Sequence, residues 1–347
     1  MKLSEFKYQL PKNQIAKYPA YPRDKAKMLV LDKDSGEIMD LEFSNILDFF
    51  KKGDCVVLNE TKVFPAKLLG KKEKTHANIE VMLLRELNSE DRIWDVIVEP
   101  ARKVRIGNKI YFDDQKFYCE VIDNTTSRGR TVRFSYEGDL LNVIERIGQM
   151  PLPEYIEREP EETDKLTYQS VFSNEKYLSS IAPPKAGLHF TEAMIEELKE
   201  KGVRIAKINL NIGQGIFEKI EVEDLTKHRM YSEYFEITRD AAETINKTLK
   251  AKKNVYAIGT SVVRALESSV LTTGAAKPNK GWTDKFIYPQ YDFKLATRYL
   301  TNFQEPASPQ LLVAAAFAGK ENAFRAYKHA IANKYRLLGY GDVMLII

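Results

Sequence analysis

A strand, a glycine-led turn and a helix follow one another in NVYAIGTSVVRALESSV, and this stretch carries the clearest signs of a binding site. The turn Gly259-Thr260-Ser261 leaves backbone N–H groups and two hydroxyls at the start of a helix, where a carboxylate or phosphate is stabilised. Arg264 and Glu267 follow, one helical turn apart. The plainer interpretation is a helix cap followed by an exposed ion pair.

Two further glycine turns lie at the ends of one helix–strand unit between residues 181 and 217. The first holds Gly187 and His189, and the second holds Gly213 and Gly215. A loop histidine can act as a general acid or base, or it can hold the backbone by hydrogen bonds. The second turn lacks the third glycine of a dinucleotide loop and follows a late strand, so we exclude a Rossmann nucleotide site there. Loops at strand ends still suit ligand binding in an open α/β sheet.

Polar side chains also stand at three other predicted strand ends and loops. Asn59 and Thr61 mark the end of the buried strand DCVVLNE, Asp284 and Tyr288 lie in WTDKFIYP, and Asn302 lies in LTNF. Several aromatic residues crowd the second of these stretches, and rings beside a carboxylate suit a cationic or base-bearing ligand. Ordinary core packing explains the same aromatic residues without a ligand.

Composition places this chain of 347 residues among ordinary globular proteins, with 44% apolar and 29% charged residues. No apolar run approaches a membrane span, and the first residues lack the apolar core of a secretory signal. Cys55 and Cys119 lie in apolar runs, which predicts reduced core thiols in a cytoplasmic protein. The four histidines are too scattered to predict a zinc site.

Positive charge is concentrated in one part of the chain. The net charge is +4, and the segment from Lys62 to Arg133 has fifteen lysines and arginines against eleven acidic residues, a difference of four. Basic clusters of this kind suit a phosphate backbone. A solvated charged surface is the alternative.

The order of the predicted elements indicates an α/β protein with an insertion. Between residues 62 and 136, short strand-like runs alternate with breaks such as NSED, DDQ and NTTSRGR, a pattern typical of a small antiparallel barrel. From Thr191 onward, strands and helices alternate. We therefore predict a large mixed α/β domain, residues 1–60 and 152–347, with a smaller antiparallel β-barrel domain inserted at 61–151.

Taken together, these motifs resemble one family over almost the whole chain: the S-adenosylmethionine:tRNA ribosyltransferase-isomerases of queuosine biosynthesis. The number and order of the motifs make the resemblance specific, since no single motif would suffice. The matching stretches are IAKYPAYPRDKAKMLVLD, GDCVVLNETKVFPAKLLG, WDVIVEPARKVRIGNKI, GQMPLPEYI, AGLHFT, HRMYSE, IGTSVVRALES, TDKFIYP, LTNF and AFAGKENAFRAYKHAI followed by YGD.

The resemblance implies an enzyme of tRNA modification, both a transferase and an isomerase. The ribosyl moiety of S-adenosylmethionine would move to the aminomethyl-deazaguanine base (preQ1) at the tRNA wobble position. The products would be epoxyqueuosine in tRNA, adenine and methionine. The expected partners are S-adenosylmethionine and the anticodon loop of tRNA, with no membrane, no metal and no separate cofactor. We expect a cytoplasmic monomer.

The chemistry of that reaction suggests roles for the residues singled out above. A general base is needed because the sulfonium acidifies the neighbouring ribose carbon, and the sulfonium favours carboxylate or aromatic neighbours. We expect His189, Asp284 and Arg264 to be catalytic. The expected substrate-binding residues are Asn59, Thr61, Gly187, Gly213, Gly215, Thr260, Ser261, Tyr288 and Asn302.

The chain departs from the family pattern at several positions, which marks it as a divergent member. Asparagine or glutamine replaces two histidines, so a hydrogen bond is kept but a titrating group is lost. The departures are Lys185, Asn211, Ile216, Val262, Gln304, Ala307 and Pro309. One alternative is a paralogue that binds RNA or nucleotide but has lost or changed the activity. Another, an ordinary S-adenosylmethionine methyltransferase, would need a glycine loop after its first strand, and the chain has none there.

Overall fold

A computed structural model describes residues 1–113 and 116–347, so part of the predicted DDQ turn, residues 114–115, lies outside the described residues. The described strands are β1 (Lys27–Leu31), β2 (Ile38–Glu42), β3 (Cys55–Asn59), β4 (Lys62–Val63), β5 (Lys67–Lys72), β6 (Asn78–Asn88), β7 (Ile93–Glu99), β8 (Lys109–Tyr111), β9 (Tyr118–Asn124), β10 (Gly129–Ser135), β11 (Leu178–Ser180), β12 (Arg204–Leu210), β13 (Glu233–Ile237), β14 (Val255–Ile258), β15 (Asn279–Thr283), β16 (Arg298–Asn302) and β17 (Val343–Ile346). The described α-helices are α1 (Leu140–Ile147), α2 (Asp164–Thr167), α3 (Glu192–Glu200), α4 (Arg239–Lys250), α5 (Thr260–Glu267), α6 (Pro309–Ala318) and α7 (Lys320–Ala332).

A nine-stranded sheet forms the centre of the molecule, in the order β15-β13-β12-β3-β14-β16-β17-β1-β2. The four central strands, β12, β3, β14 and β16, run parallel to one another. Antiparallel pairs flank them, β13 with β12 on one side and β17 with β16 on the other. The carboxyl ends of the four parallel strands therefore meet at one edge of the sheet, which is where ligands bind in open α/β sheets.

Apolar layers cover both faces of this sheet. The larger layer joins α4, α5, α6 and α7 to one face, and a smaller layer joins α3 and the 3₁₀ helix Phe43–Phe49 to the other. The strands are buried on both faces, as in the all-buried β3 and β14, which explains why their sequences are continuous apolar runs.

Strands β5 to β10 close into a six-stranded antiparallel barrel, in the order β10-β7-β6-β5-β8-β9. Alternate side chains fill it, as Ile79, Val81 and Leu83 do on β6. Leu140 and Ile144 of α1 pack onto this core. The predicted α/β fold with a smaller antiparallel barrel is confirmed. The barrel strands all lie within 61–151, while the domain boundaries themselves stay a prediction.

Two smaller features bear on the predictions from composition. Cys55 and Cys119 are free and buried, as predicted. In the described part of the chain, no helix combines the length and the apolar character that crossing a membrane requires. Nor do any three histidine, cysteine, aspartate or glutamate side chains of those residues cluster as metal ligands.

Candidate active site

The carboxyl edge of the four parallel strands gathers most of the polar residues that the sequence singled out. β3 ends at Asn59, β12 at Leu210, β14 at Ile258 and β16 at Asn302. Two of the three turns predicted to bind a ligand, those holding Gly213 and Gly259, therefore converge at one edge although they are far apart along the chain. Parallel strand order alone brings them together, as it does in other open α/β sheets.

The start of α5 lies at this edge and has the geometry that the sequence predicts. Gly259 has a φ of 91°, a conformation that favours glycine, and no side chain of the described residues caps the helix. The Thr260 hydroxyl lies 2.6 Å from the Tyr299 hydroxyl. The Ser261 hydroxyl accepts a hydrogen bond of 3.1 Å from Asn59. Buried neighbours thus orient both hydroxyls at the positive end of the helix.

Arg264 and Glu267 do not form the exposed ion pair of the plainer interpretation, which is wrong. Both side chains are buried and they turn to different elements. The Arg264 guanidinium donates to the carboxylate of Glu233 and, through Nε, to the Lys285 carbonyl at 3.1 Å. Glu267 accepts a hydrogen bond of 3.0 Å from the backbone N–H of Leu295. Helical spacing places both residues on α5, but packing decides their partners.

Glu233 was not among the predicted site residues, yet it joins the turns of the site. It is the first residue of β13 and only 6% exposed. One carboxylate oxygen accepts from Arg264, and the other accepts from the Gly213 N–H at 2.9 Å. The second glycine turn and α5 are therefore held to one buried carboxylate. A buried carboxylate of this kind requires such partners.

One signal in the sequence could have identified Glu233. In the strand EYFEI, Glu233, Phe235 and Ile237 alternate with two residues that are less buried. A period of two puts all three on one face of the strand. A carboxylate in register with two apolar core residues is therefore predicted to be buried and paired.

Two cavities meet at Glu233. We call the first the narrow cavity; it has a volume of about 80 Å³ and lies over the start of α5. The second, the wide cavity, has a volume of about 770 Å³ and lies between the barrel and the sheet. Five predicted site residues line the narrow cavity, and Gly213 lines the wide one. The five are Gly215, Thr260, Ser261, Arg264 and Asn302.

The wide cavity has an aromatic rim. Trp282 of β15 is 53% exposed although it is a large apolar side chain. The Arg85 guanidinium of β6 lies 5.0 Å from its ring, and the Tyr234 ring stands edge-on at 5.8 Å. Because Arg85 belongs to the barrel and Trp282 to the sheet, this cation–π contact spans the mouth of the cavity.

Three predicted binding residues support the turns and do not line either cavity. Asn59 exchanges two hydrogen bonds of 3.0 Å with the backbone of Leu210. The Thr61 hydroxyl lies 2.6 Å from that of Ser180, beside the short parallel pair β4–β11. Gly187 lies against the Phe172 ring, where a Cβ would come within 2.5 Å. All three hold the backbone from which the cavity walls are built.

Two other predicted residues lie outside both cavities. Asp284 is exposed in the loop after β15. Tyr288 packs its ring 5.2 Å from that of Phe286 and against the core. The aromatic cluster of this region is therefore mostly core packing, with Trp282 as the exposed exception. The predicted roles of Asp284 and Tyr288 gain no support from their positions.

His189 lies at the far end of the 3₁₀ helix Lys185–His189, away from the cavities. Its ring packs 5.3 Å from that of Phe43, and Nδ1 lies 3.4 Å from the Arg23 carbonyl. Burial lowers the pKa of His189 to about 4, so the imidazole is neutral at neutral pH. Its catalytic role stays a prediction.

We expect the stability of the protein to fall in mild acid partly because of His189. The unfolded histidine titrates near pH 6.5, whereas the folded one titrates near 4, so the unfolded chain takes up the proton first. Between about pH 7.5 and about pH 4.5 this should remove roughly 2–3 kcal/mol of unfolding free energy. Urea unfolding of the wild type and of His189→Gln at both pH values measures the difference.

The glutamine variant should lose less stability than the wild type over this interval, because its side chain does not titrate. Equal losses in the two proteins would contradict the assignment of the low pKa to His189. Separately, unchanged turnover in His189→Ala would remove the predicted acid–base role.

Most of the residues that the resemblance marks as departures from the family pattern line the narrow cavity. Four of the seven residues line it, and Asn211 lines the wide cavity. The four are Lys185, Ile216, Gln304 and Pro309. Val262 is buried within α5, and Ala307 donates its N–H to the Phe6 carbonyl. The expected departures therefore affect the lining of the narrow cavity more than the rest of the candidate site.

An open α/β sheet with a buried ion pair between two cavities at its carboxyl edge is the architecture of an α/β enzyme. The chain matches the family model described as "Queuosine biosynthesis protein" over residues 3–346, and it belongs to this family. The resemblance inferred from the motifs is thereby confirmed.

Similar proteins cover the whole chain. It is 53% identical to the S-adenosylmethionine:tRNA ribosyltransferase-isomerase of Cytophaga hutchinsonii and 50% identical to that of Chloroherpeton thalassium, with 100% of each chain covered in both cases. It is also similar to the crystal structure of the S-adenosylmethionine tRNA ribosyltransferase of Thermotoga maritima. That match has 30% identity and a TM-score of 0.55, and it covers 99% of this chain and 100% of the other.

Proposed function

We propose that the protein transfers and isomerises the ribosyl moiety of S-adenosylmethionine onto the preQ1 base at the tRNA wobble position. The products are epoxyqueuosine in tRNA, adenine and methionine. The proposal rests mainly on sequence similarity to relatives that are named for this reaction. The chain is 53% and 50% identical to two of them over its full length. The position of the cavities supports it further, because two substrates need two adjoining sites.

The difference in size between the cavities suggests how the substrates share them. The wide cavity, at about 770 Å³, opens between the barrel and the sheet and suits a nucleotide of tRNA. The narrow cavity, at about 80 Å³, suits part of S-adenosylmethionine. The reacting ribose would then lie at the junction, beside Glu233. This arrangement brings the exocyclic amine of the base to the ribosyl carbon.

We propose that Glu233 acts on the positive charges of both substrates. The sulfonium of S-adenosylmethionine and the aminomethyl group of preQ1 each carry a charge beside a reacting atom. A carboxylate held by Arg264 and the Gly213 N–H is preorganised to stabilise such charges and to accept a proton. We therefore assign Glu233 as the proton acceptor of the reaction, with Arg264 and Gly213 fixing its orientation.

The rim of the wide cavity suits the unpaired nucleotides of an anticodon loop. Exposed aromatic rings stack on bases of any sequence, and a nearby guanidinium adds charge for the phosphates. Trp282 and Arg85 supply both features at the mouth of this cavity. We propose that they contact nucleotides next to the modified base. The proposal further takes S-adenosylmethionine as co-substrate without a separate cofactor, and the protein as a cytoplasmic monomer.

Adenine release tests the proposed function directly. The purified chain is incubated with S-adenosylmethionine and tRNA bearing preQ1, and free adenine and the modified nucleoside are measured by chromatography. We expect both to appear in equal amounts and to depend on the precursor base. Transfer RNA carrying guanine at the wobble position is the matched control. Binding of tRNA without adenine release would support the non-catalytic alternative, and S-adenosylhomocysteine as product would indicate a methyltransferase.

A further inference from the structure

The narrow cavity contains a lysine whose charge is not balanced by a carboxylate. Lys185 lines this cavity and donates a hydrogen bond of 2.8 Å to the Tyr155 hydroxyl. Among the residues that the structure describes, no carboxylate oxygen lies within 4 Å of its ammonium group. A half-buried ammonium held by a neutral hydroxyl attracts an anion more strongly than a solvated one, because water screens it less.

The same cavity contains a buried acceptor without a donor. Asn302 is buried, and its amide nitrogen donates to the carbonyls of Gly339 and Gly341 at 3.5 and 3.3 Å. Its amide oxygen has no hydrogen-bond partner in the described structure. Leaving such a group unpaired destabilises the folded protein. A ligand that brings an N–H donor would satisfy it.

Both groups lie next to Gly339. A Cβ built on Gly339 would lie 3.2 Å from Lys185 Cδ, and the Gly339 carbonyl accepts from Asn302. The start of α5 adds a second positive element, since Thr260 and Ser261 line the cavity and the helix has no side-chain cap among the described residues. The same cavity thus contains positive groups that suit an anion and a buried acceptor that lacks a donor.

We propose that the narrow cavity binds the zwitterionic end of an α-amino acid, namely the methionine part of S-adenosylmethionine. Its carboxylate would pair with Lys185 and the start of α5, and its ammonium would donate to the Asn302 amide oxygen. Apolar side chains, among them Ile212 and Val313, line the remainder of the cavity and suit the methylene chain. This subsite rests on the proposed function for the identity of its ligand.

Binding of two matched ligands tests the subsite. S-adenosylmethionine and its decarboxylated form are titrated calorimetrically into the full chain, together with tRNA bearing guanine at the wobble position so that no reaction follows. We expect the wild type to prefer the carboxylated ligand by about 10–100-fold. Lys185→Met should abolish the preference, and Lys185→Arg should retain most of it. Lys294→Met, at an exposed surface position, is the control and should not change it.

Replacing Asn302 is expected to change binding in a different way from replacing Lys185, because both ligands carry the amine that would donate to Asn302. Asn302→Leu, after its melting temperature shows that it is folded, should weaken both ligands by a similar factor. Equal affinity of the wild type for the two ligands, binding of neither, or a preference that survives in Lys185→Met would overturn the subsite. If Lys185 governs the preference but preQ1-tRNA yields no adenine, the subsite stands and the proposed function fails.

Discussion

Replacing Glu233 with glutamine is expected to lower the rate of adenine release by about 10²–10⁴-fold, the usual contribution of a general acid or base. Glutamine keeps the shape of the side chain but has no negative charge and accepts a proton poorly. The substitution therefore removes the group that we place beside the two positive reacting centres. Single-turnover release of adenine with saturating preQ1-tRNA measures the chemical step.

Glu236→Gln is the matched control for this substitution. Glu236 lies on the same strand but outside the buried face, and it accepts a hydrogen bond of 3.2 Å from the Tyr177 hydroxyl. Its replacement should leave adenine release within a few-fold of the wild type. A Glu233→Gln protein that is folded and releases adenine at the wild-type rate would exclude Glu233 as the proton acceptor.

Arg264→Met is expected to destabilise the protein by about 3–5 kcal/mol, because it leaves the buried Glu233 carboxylate without its counter-charge. The loss should appear as a lower midpoint of urea unfolding, followed by circular dichroism and by tryptophan fluorescence. The two probes should give the same midpoint if sheet and barrel unfold together. Activity should fall as well, since Arg264 fixes the position of the carboxylate.

The double variant Glu233→Gln/Arg264→Met separates charge pairing from loss of contacts. Removing both charges should recover part of the stability lost in Arg264→Met, because an uncharged pair leaves no unpaired buried ion. It should not recover activity. A double variant whose destabilisation equals the sum of the two single variants would show that the two side chains are energetically independent, contrary to the geometry described above.

The barrel and the central sheet were predictable from sequence because their patterns are local. In β6, Ile79, Val81 and Leu83 are apolar at every second position, and a strand with this period is expected to have one buried face. In β3 and β14, unbroken apolar runs indicate strands that are covered on both faces. Gly259 likewise marks the start of α5, because a φ of 91° favours glycine.

The partners of the site residues were not predictable in the same way. Arg264 and Glu267 are three residues apart, yet one pairs with Glu233 and the other binds backbone N–H groups near Leu295. Both partners lie more than twenty residues away along the chain. His189 and Lys185 share one short helix, but Lys185 lines the narrow cavity and His189 packs against Phe43. Residue type and spacing do not decide which side chains meet across a sheet.

The sequence by itself determined the main elements, the family and the glycine turns, since each of these depends on local periodicity, glycine conformation or an ordered set of motifs. Only the tertiary structure decided that Glu233 lines both cavities and that Lys185 and Asn302 line the same one. The physical reason is that parallel strand order brings the carboxyl ends of distant strands to one edge. Burial then requires each charge at that edge to find a partner.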